Sequence, residues 1–134
     1  MPFWKCYYHL VWATRYRQPI ITPEREQVIF ATIRTVSSNL GSEILAINGT
    51  DDHIHMATAI PPGIAVAQWV KQCKGASTRE VNQTITADDS FGWQTGYGVL
   101  TFGQKALPYV IAYIDGQKQH HASQQLEPYL EQME

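Results

Sequence analysis

Two strand-like runs, residues 43–48 (EILAIN) and 52–60 (DHIHMATAI), are separated only by Gly49-Thr50-Asp51. A short glycine-containing loop between two such runs reads as an antiparallel hairpin, and Pro61-Pro62-Gly63 ends its second arm. The flanking segments decide what the hairpin packs against. On the N-terminal side, residues 7–14 (YYHLVWAT) are aromatic and β-branched and run into a polar turn, Arg15-Tyr16-Arg17-Gln18-Pro19, so they read as a first strand leaving the core. Thr22 is placed to cap a helix whose first position is Pro23, with Glu24 and Glu26 in the turn where carboxylates favour the helix dipole. Ile29, Ile33, Val36 and Leu40 then recur at helical spacing, and Gly41 supplies the stop.

On the C-terminal side, Val66, Trp69, Val70, Cys73 and Val81 give a weaker helical stripe from Ala65 to about Thr86. Gly75 interrupts it at a cost of about 1 kcal/mol relative to alanine, so a bend or break is expected there. Residues 93–101 (WQTGYGVLT) read as a glycine-loosened strand. Residues 107–121 return to helical spacing through Leu107, Val110, Ile111 and Ile114. The resulting order is strand, helix, strand, strand, helix, strand, with one more helix at the end. That order is the α+β, ferredoxin-like split βαβ arrangement, in which an antiparallel sheet carries helices on one face. The opposite face is then expected to be free for a ligand or a second subunit.

At 134 residues and 15.2 kDa the chain is expected to be one folded domain, residues 1–134, with an acidic tail from about residue 122. Its charged fraction of 16% and apolar fraction of 44% disfavour wholesale disorder. No apolar run approaches the roughly 20 residues that cross a bilayer, and Met1 to Cys6 has none of the parts of a signal peptide, so no membrane partner is expected. The two cysteines, Cys6 and Cys73, show no zinc-ligand spacing and fit a reducing cytoplasm. A net charge of −2 argues against a strong overall positive field, but Glu127, Glu131 and Glu134 carry three charges of the tail, without which the balance is +1. Arg15 with Arg17, and Lys71 with Lys74 and Arg79, stand in small basic groups whose plain reading is solvated surface charge.

Chemistry concentrates in His53-Ile54-His55-Met56. Side chains alternate along a strand, so both imidazoles share one face while Ile54 and Met56 take the other. Such a pair is a possible metal site that two ligands do not complete, or else an exposed pair of histidines. Asp51 and Asp52 suit the hairpin turn, and either can also orient an imidazole. In the last helix, Tyr109, Tyr113, Gln117 and His120 form a stripe beside the apolar one, and Tyr113 and Gln117 are one turn apart. Alone, Tyr113 reads as a half-buried packing residue and Gln117 as an exposed amide.

Taken together, four segments resemble the single-tyrosine HUH transposases of small bacterial insertion sequences and the related REP-associated tyrosine transposases. They are Asp52-His53-Ile54-His55-Met56, Lys74-Gly75-Ala76-Ser77, Trp93-Gln94-Thr95-Gly96-Tyr97, and Tyr113-Ile114-Asp115-Gly116-Gln117 followed by His120-His121. The likeness runs from about Tyr8 to His121. It implies that His53, His55 and Gln117 bind a divalent cation, Mg2+ or Mn2+, and that Tyr113 is the nucleophile. It further implies cleavage and rejoining of single-stranded DNA through a 5′-phosphotyrosine, hairpin DNA ends as substrate, and a homodimer in which the tyrosine helix can act on the partner's site. Arg15, Tyr16, Arg17, Lys71, Lys74 and Arg79 are the candidates for backbone contacts and base stacking. Gly116 departs from a rigid helical turn between nucleophile and ligand. The alternative is a domesticated relative that binds hairpin DNA or RNA without transposition; a histidine phosphoesterase finds less support, since only one HxH occurs, and a structural zinc domain less still, since Cys6 and Cys73 show no ligand spacing.

Overall fold

The computed structural model describes residues 3–119 and 128–133. Its elements are β1 (Tyr7–Ala13), α1 (Pro23–Asn39), β2 (Glu43–Gly49), β3 (His53–Ala59), α2 (Val66–Thr84), β4 (Gly98–Phe102), α3 (Leu107–Asp115) and a short α4 (Pro128–Glu131). The four strands form one sheet in the order β2-β3-β1-β4, with every neighbouring pair antiparallel. This is the strand order of the ferredoxin-like α+β fold expected from the sequence.

The local signals act as expected. The Thr22 side chain accepts a hydrogen bond from the Arg25 backbone amide, Pro23 opens α1, and Gly41 follows the helix with φ of 70°. On one face of the sheet, Leu10, Trp12, Ile54 and Met56 pack against Ile29 and Ile33 of α1 and Trp69, Val70 and Cys73 of α2, all fully buried or nearly so. Each large apolar side chain so covered contributes about 1.5–3 kcal/mol over leaving it in water. Arg25 is buried with this layer: its guanidinium donates to the Ile20 carbonyl and to the carboxylate and carbonyl of Asp89, and it lies over the Phe91 ring.

Four expectations are corrected. The second face is not free, because α3 lies on it, and Val110 and Ile114 pack on Ala46 and Ala57. Two alanines leave the shallow surface that a helix needs to come close. α2 runs unbroken through Gly75, where a side chain would meet open space, since Trp69, Val70, Cys73 and Val81 on its buried face hold it straight. The last strand starts at Gly98; upstream, Trp93 makes only an isolated bridge to Thr14, and Gly96, with φ of 98°, turns the chain. α3 ends at Asp115, Gly116 forms a turn, and residues 117–119 are helical again. His120 and His121, and the tail from 122 to 127, lie outside the described residues.

Candidate active site

The register of β1, β3 and α3 assembles the site. β3 pairs with β1 so that Ala13 faces His53, Val11 faces His55 and His9 faces Ala57. All of these side chains share the face on which α3 lies. His53 and His55 are 1% and 0% exposed, so the reading of a solvent-exposed pair does not hold. Their rings stand 5.1 Å apart, and the His55 ring is 6.0 Å from that of Tyr113. Tyr113 and Gln117 are buried as well, at 4% and 0% exposed, while Asp115 points outward as helical phase requires. The turn at Gly116 does not separate Tyr113 from Gln117, because the segment is tied down at its end. Asn48 Nδ2 donates to the Asp115 carbonyl, and Lys118 Nζ donates to Asn48 Oδ1 and the Glu26 carboxylate.

A residue that sequence reasoning left in the acidic tail sits at the centre. Glu131 Oε1 lies 3.3 Å from His53 Nε2 and 3.1 Å from His55 Nε2. The Tyr113 hydroxyl donates to Glu131 Oε2, and Gln117 Nε2 approaches the same oxygen at 3.4 Å. Burial alone would raise the Glu131 carboxyl, but its hydrogen bonds with His53, His55 and the Tyr113 hydroxyl outweigh it, and the group is held well below the usual carboxylate range. Only its place in an otherwise unexplained cluster of glutamates could have drawn attention to it in the sequence.

Each imidazole has its own support. His53 Nδ1 donates to Asp52 Oδ1 at 2.7 Å, with the Thr50 hydroxyl 2.9 Å away. Asp52 thus orients a histidine as well as serving the turn. Burial would raise its carboxyl, but the bond from His53 and the neighbouring Arg17 guanidinium more than reverse this and lower it. His55 Nδ1 is instead 2.9 Å from Nε2 of His9, a buried β1 histidine that the sequence reading passed over. Burial, with His55 beside it, pushes the His9 imidazole down to about 3, so it is neutral at physiological pH.

The donor set suits a cation. His53 Nε2 lies 3.3 Å from Glu131 Oε1, and with Nδ1–H given to Asp52 this nitrogen is the one that would serve a bound cation. His53, His55 and Glu131 each offer a ligand atom, all within 4.8 Å of one another. Gln117 Oε1 is buried without a hydrogen-bond partner among the described residues, so an amide oxygen is also available.

The basic candidates divide between the two faces. Arg15, Tyr16 and Arg17 form a single exposed turn directly after β1, in which Tyr16 and Arg17 adopt φ of 58° and 51°. This left-handed pair is costly for residues with side chains. It turns Arg17 back on the site, with Nη2 3.4 Å from Asp52 Oδ1 and from His53 Nδ1, and leaves Tyr16 83% exposed. Lys71 and Arg79 are exposed on α2, on the other side of the sheet from Tyr113. Lys74 is half-buried, and its ammonium donates to the carbonyls of Gln94 and Gly96; burial lowers its pKa. Its visible work is to hold the bend before β4.

The fold and the site together define a ferredoxin-like protein in which a strand-borne histidine pair meets a tyrosine and a glutamine from a helix on the same face. Residues 2–117 match the family described as "Transposase IS200 like", and the chain belongs to that family. It is 27% identical to the ISDra2 transposase TnpA of Deinococcus radiodurans over 115 residues, which is 82% of each chain. It is 30% identical over 107 residues to the transposase for insertion sequence element IS200 of Salmonella typhimurium, covering 75% of this chain and 70% of the relative. Among solved structures it is similar to a candidate transposase from Deinococcus radiodurans R1, with a TM-score of 0.70 and 26% identity over 87% of this chain and 93% of that one. It also shares the fold of a REP-associated tyrosine transposase bound to a REP hairpin, with a TM-score of 0.69 and 17% identity over 90% of this chain and 72% of the other. Among the described residues no helix is long and apolar enough to cross a membrane.

Proposed function

We propose that this transposase cuts and rejoins single-stranded DNA at an insertion-sequence end, with Tyr113 as nucleophile and His53, His55 and Gln117 as ligands of Mg2+ or Mn2+. The observation that carries the reading is the convergence of the Tyr113 hydroxyl, both imidazole Nε2 atoms and the Gln117 amide on one carboxylate within a single chain. When bound, the cation would offset charge on the scissile phosphate and leave coordination positions for its oxygens.

The chain's own residues do the rest. Tyr113 oxygen attacks phosphorus, the bond from phosphorus to the 3′ oxygen breaks, and a 5′-phosphotyrosine forms. The leaving 3′ oxygen takes up a proton as the phenol gives one up. Attack by another 3′ hydroxyl reverses the step and joins new ends. Glu131 is too weak a base to draw the proton from a phenol whose ordinary pKa is about 10, so it parks the hydroxyl and must withdraw before phosphate enters. Asp52 and Arg17 hold His53 in orientation, and Arg15, Tyr16 and Arg17 offer cations and an exposed ring beside the site for a single strand. The hairpin named for the REP-associated relative supports hairpin ends as the substrate. A homodimer is supported by β4, an edge strand with a partly exposed Val99. Because one chain already brings Tyr113 to its own histidines, exchange of the tyrosine helix between partners is an added possibility of the dimer and not a requirement of assembly.

The second reading, a hairpin DNA- or RNA-binding relative without chemistry, is favoured by the carboxylate that engages the nucleophile. One assay separates the two. Incubated with labelled single-stranded hairpin DNA and Mn2+, the full chain forms a covalent adduct that disappears in Tyr113→Phe and in chelator; a mobility shift with no adduct overturns the proposed chemistry.

A further inference from the structure

His9 stands outside the histidine, tyrosine and glutamine set, yet it is 1% exposed and its Nε2 is 2.9 Å from Nδ1 of His55. The two rings are 5.1 Å apart and tilted by 39°, so the contact is an edge-on hydrogen bond and not a stack. One proton occupies that bond, and which ring owns it decides what His55 can do. If His9 donates, a neutral His55 carries its own proton on Nε2 and offers an N–H to Glu131, 3.1 Å away. If His55 donates, its Nε2 becomes a lone pair aimed into the centre. His53 has no such choice, because its partner Asp52 is a carboxylate that only accepts.

We propose that His9 is a positioning residue that accepts the Nδ1–H of His55 when a divalent cation is bound, and donates to the same nitrogen when His55 is hydrogen-bonded to Glu131. The inference rests on the metal reading given above. The exchange conserves charge. Each ring holds one proton in both arrangements: the bridging proton passes from His9 Nε2 to His55 Nδ1, His55 Nε2 loses its proton, and His9 Nδ1 gains one. His9 Nδ1 has no hydrogen-bond partner among the described residues, so an N–H there is disfavoured until a ligand at His55 offsets it. An imidazole serves both arrangements because it can donate or accept at one nitrogen; an apolar residue of similar size does neither.

The test uses the full chain labelled with 15N-histidine. Imidazole 15N–1H correlation spectra should show His55 protonated at Nε2 without metal and at Nδ1 with Mg2+. Calorimetric Mn2+ affinity should fall about tenfold or more in His9→Phe, the range typical of lost outer-shell partners, and recover to within about threefold in His9→Gln, whose amide oxygen can accept the same proton. A His55 protonated at Nε2 with and without Mg2+, or a His9→Phe affinity within about twofold of wild type, overturns the inference. Should His9→Phe fail to fold by circular dichroism, the wild-type tautomer and the His9→Gln affinity decide. Wild-type protein that binds no Mn2+ overturns the metal reading and this inference with it, whereas normal binding with an indifferent His9 overturns this inference alone.

Discussion

Glu131 Oε1 lies 3.1 Å from Nε2 of His55, so the short helix α4 is fastened to β3, the second arm of the hairpin. The docking is packed as well as charged: Leu130 is 6% exposed, and the Gln132 carbonyl passes so close to Gly98 that any side chain there would collide with it.

This placement gives Glu131 two opposed effects. Its carboxylate adds a ligand atom, but it also repels an incoming phosphate and occupies the Tyr113 hydroxyl. In Glu131→Ala, Mn2+ binding should weaken several-fold, while adduct formation at saturating Mn2+ should be faster than wild type. Adduct formation slower than wild type even at saturating Mn2+ would show that the carboxylate assists the reaction and does not hold the Tyr113 hydroxyl back.

Asp52 fixes the His53 ring through a 2.7 Å bond. Asp52→Ala should lower Mn2+ affinity by about tenfold or more, as loss of outer-shell carboxylates does elsewhere. Calorimetry on the folded variant measures it, and an unchanged affinity would return Asp52 to a turn role alone.

The tyrosine helix sits on Ala46 and Ala57, which are 5% and 0% exposed. Enlarging Ala57 to leucine should lift α3 from the sheet at a cost of about 1–3 kcal/mol, while the larger core on the other face keeps the domain folded. The expected result is a cooperative melt at lower temperature together with loss of the covalent adduct. A fully active Ala57→Leu would mean that α3 does not need this seat.

Arg25 is 3% exposed and joins α1 to the segment before Trp93. In Arg25→Met the carbonyls of Ile20 and Asp89 lose their donor, and stability should drop by roughly 2 kcal/mol in a denaturant titration. The Asp89 carboxyl is lowered chiefly by its hydrogen bond from Arg25. A depressed acid stabilises the fold above its free pKa of about 4, and that contribution disappears as pH falls through the lowered value. Wild type should therefore lose stability below about pH 4 with a steeper slope than Asp89→Asn. Equal slopes would place the acid sensitivity elsewhere.

Burial pushes the Cys73 thiol up to about 12, while Cys6 is only half-buried. Maleimide at neutral pH should modify Cys6 in the native protein and Cys73 only after unfolding. Rapid native labelling of Cys73 would indicate that α2 opens readily.

Much of this architecture was legible in the residues themselves. The Thr22-Pro23 start, the hairpin, whose loop falls one residue later than expected at Thr50-Asp51-Asp52, and the alternation that puts His53 and His55 on one face depend on hydrogen bonds and periodicities only a few residues long. The four-residue step from Tyr113 to Gln117 is equally local, and it survives the turn at Gly116 because Asn48 and Lys118 secure the chain there. The sequence thus determined the order of elements, the histidine pair and the one-turn step from Tyr113 to Gln117. Tertiary structure alone decided that α3 covers the second face, that His9 falls beside His55, and that Glu131 enters the centre. Those outcomes depend on strand register and on contacts between segments far apart in the chain, here 46 and 76 residues, and no short-range periodicity encodes such meetings.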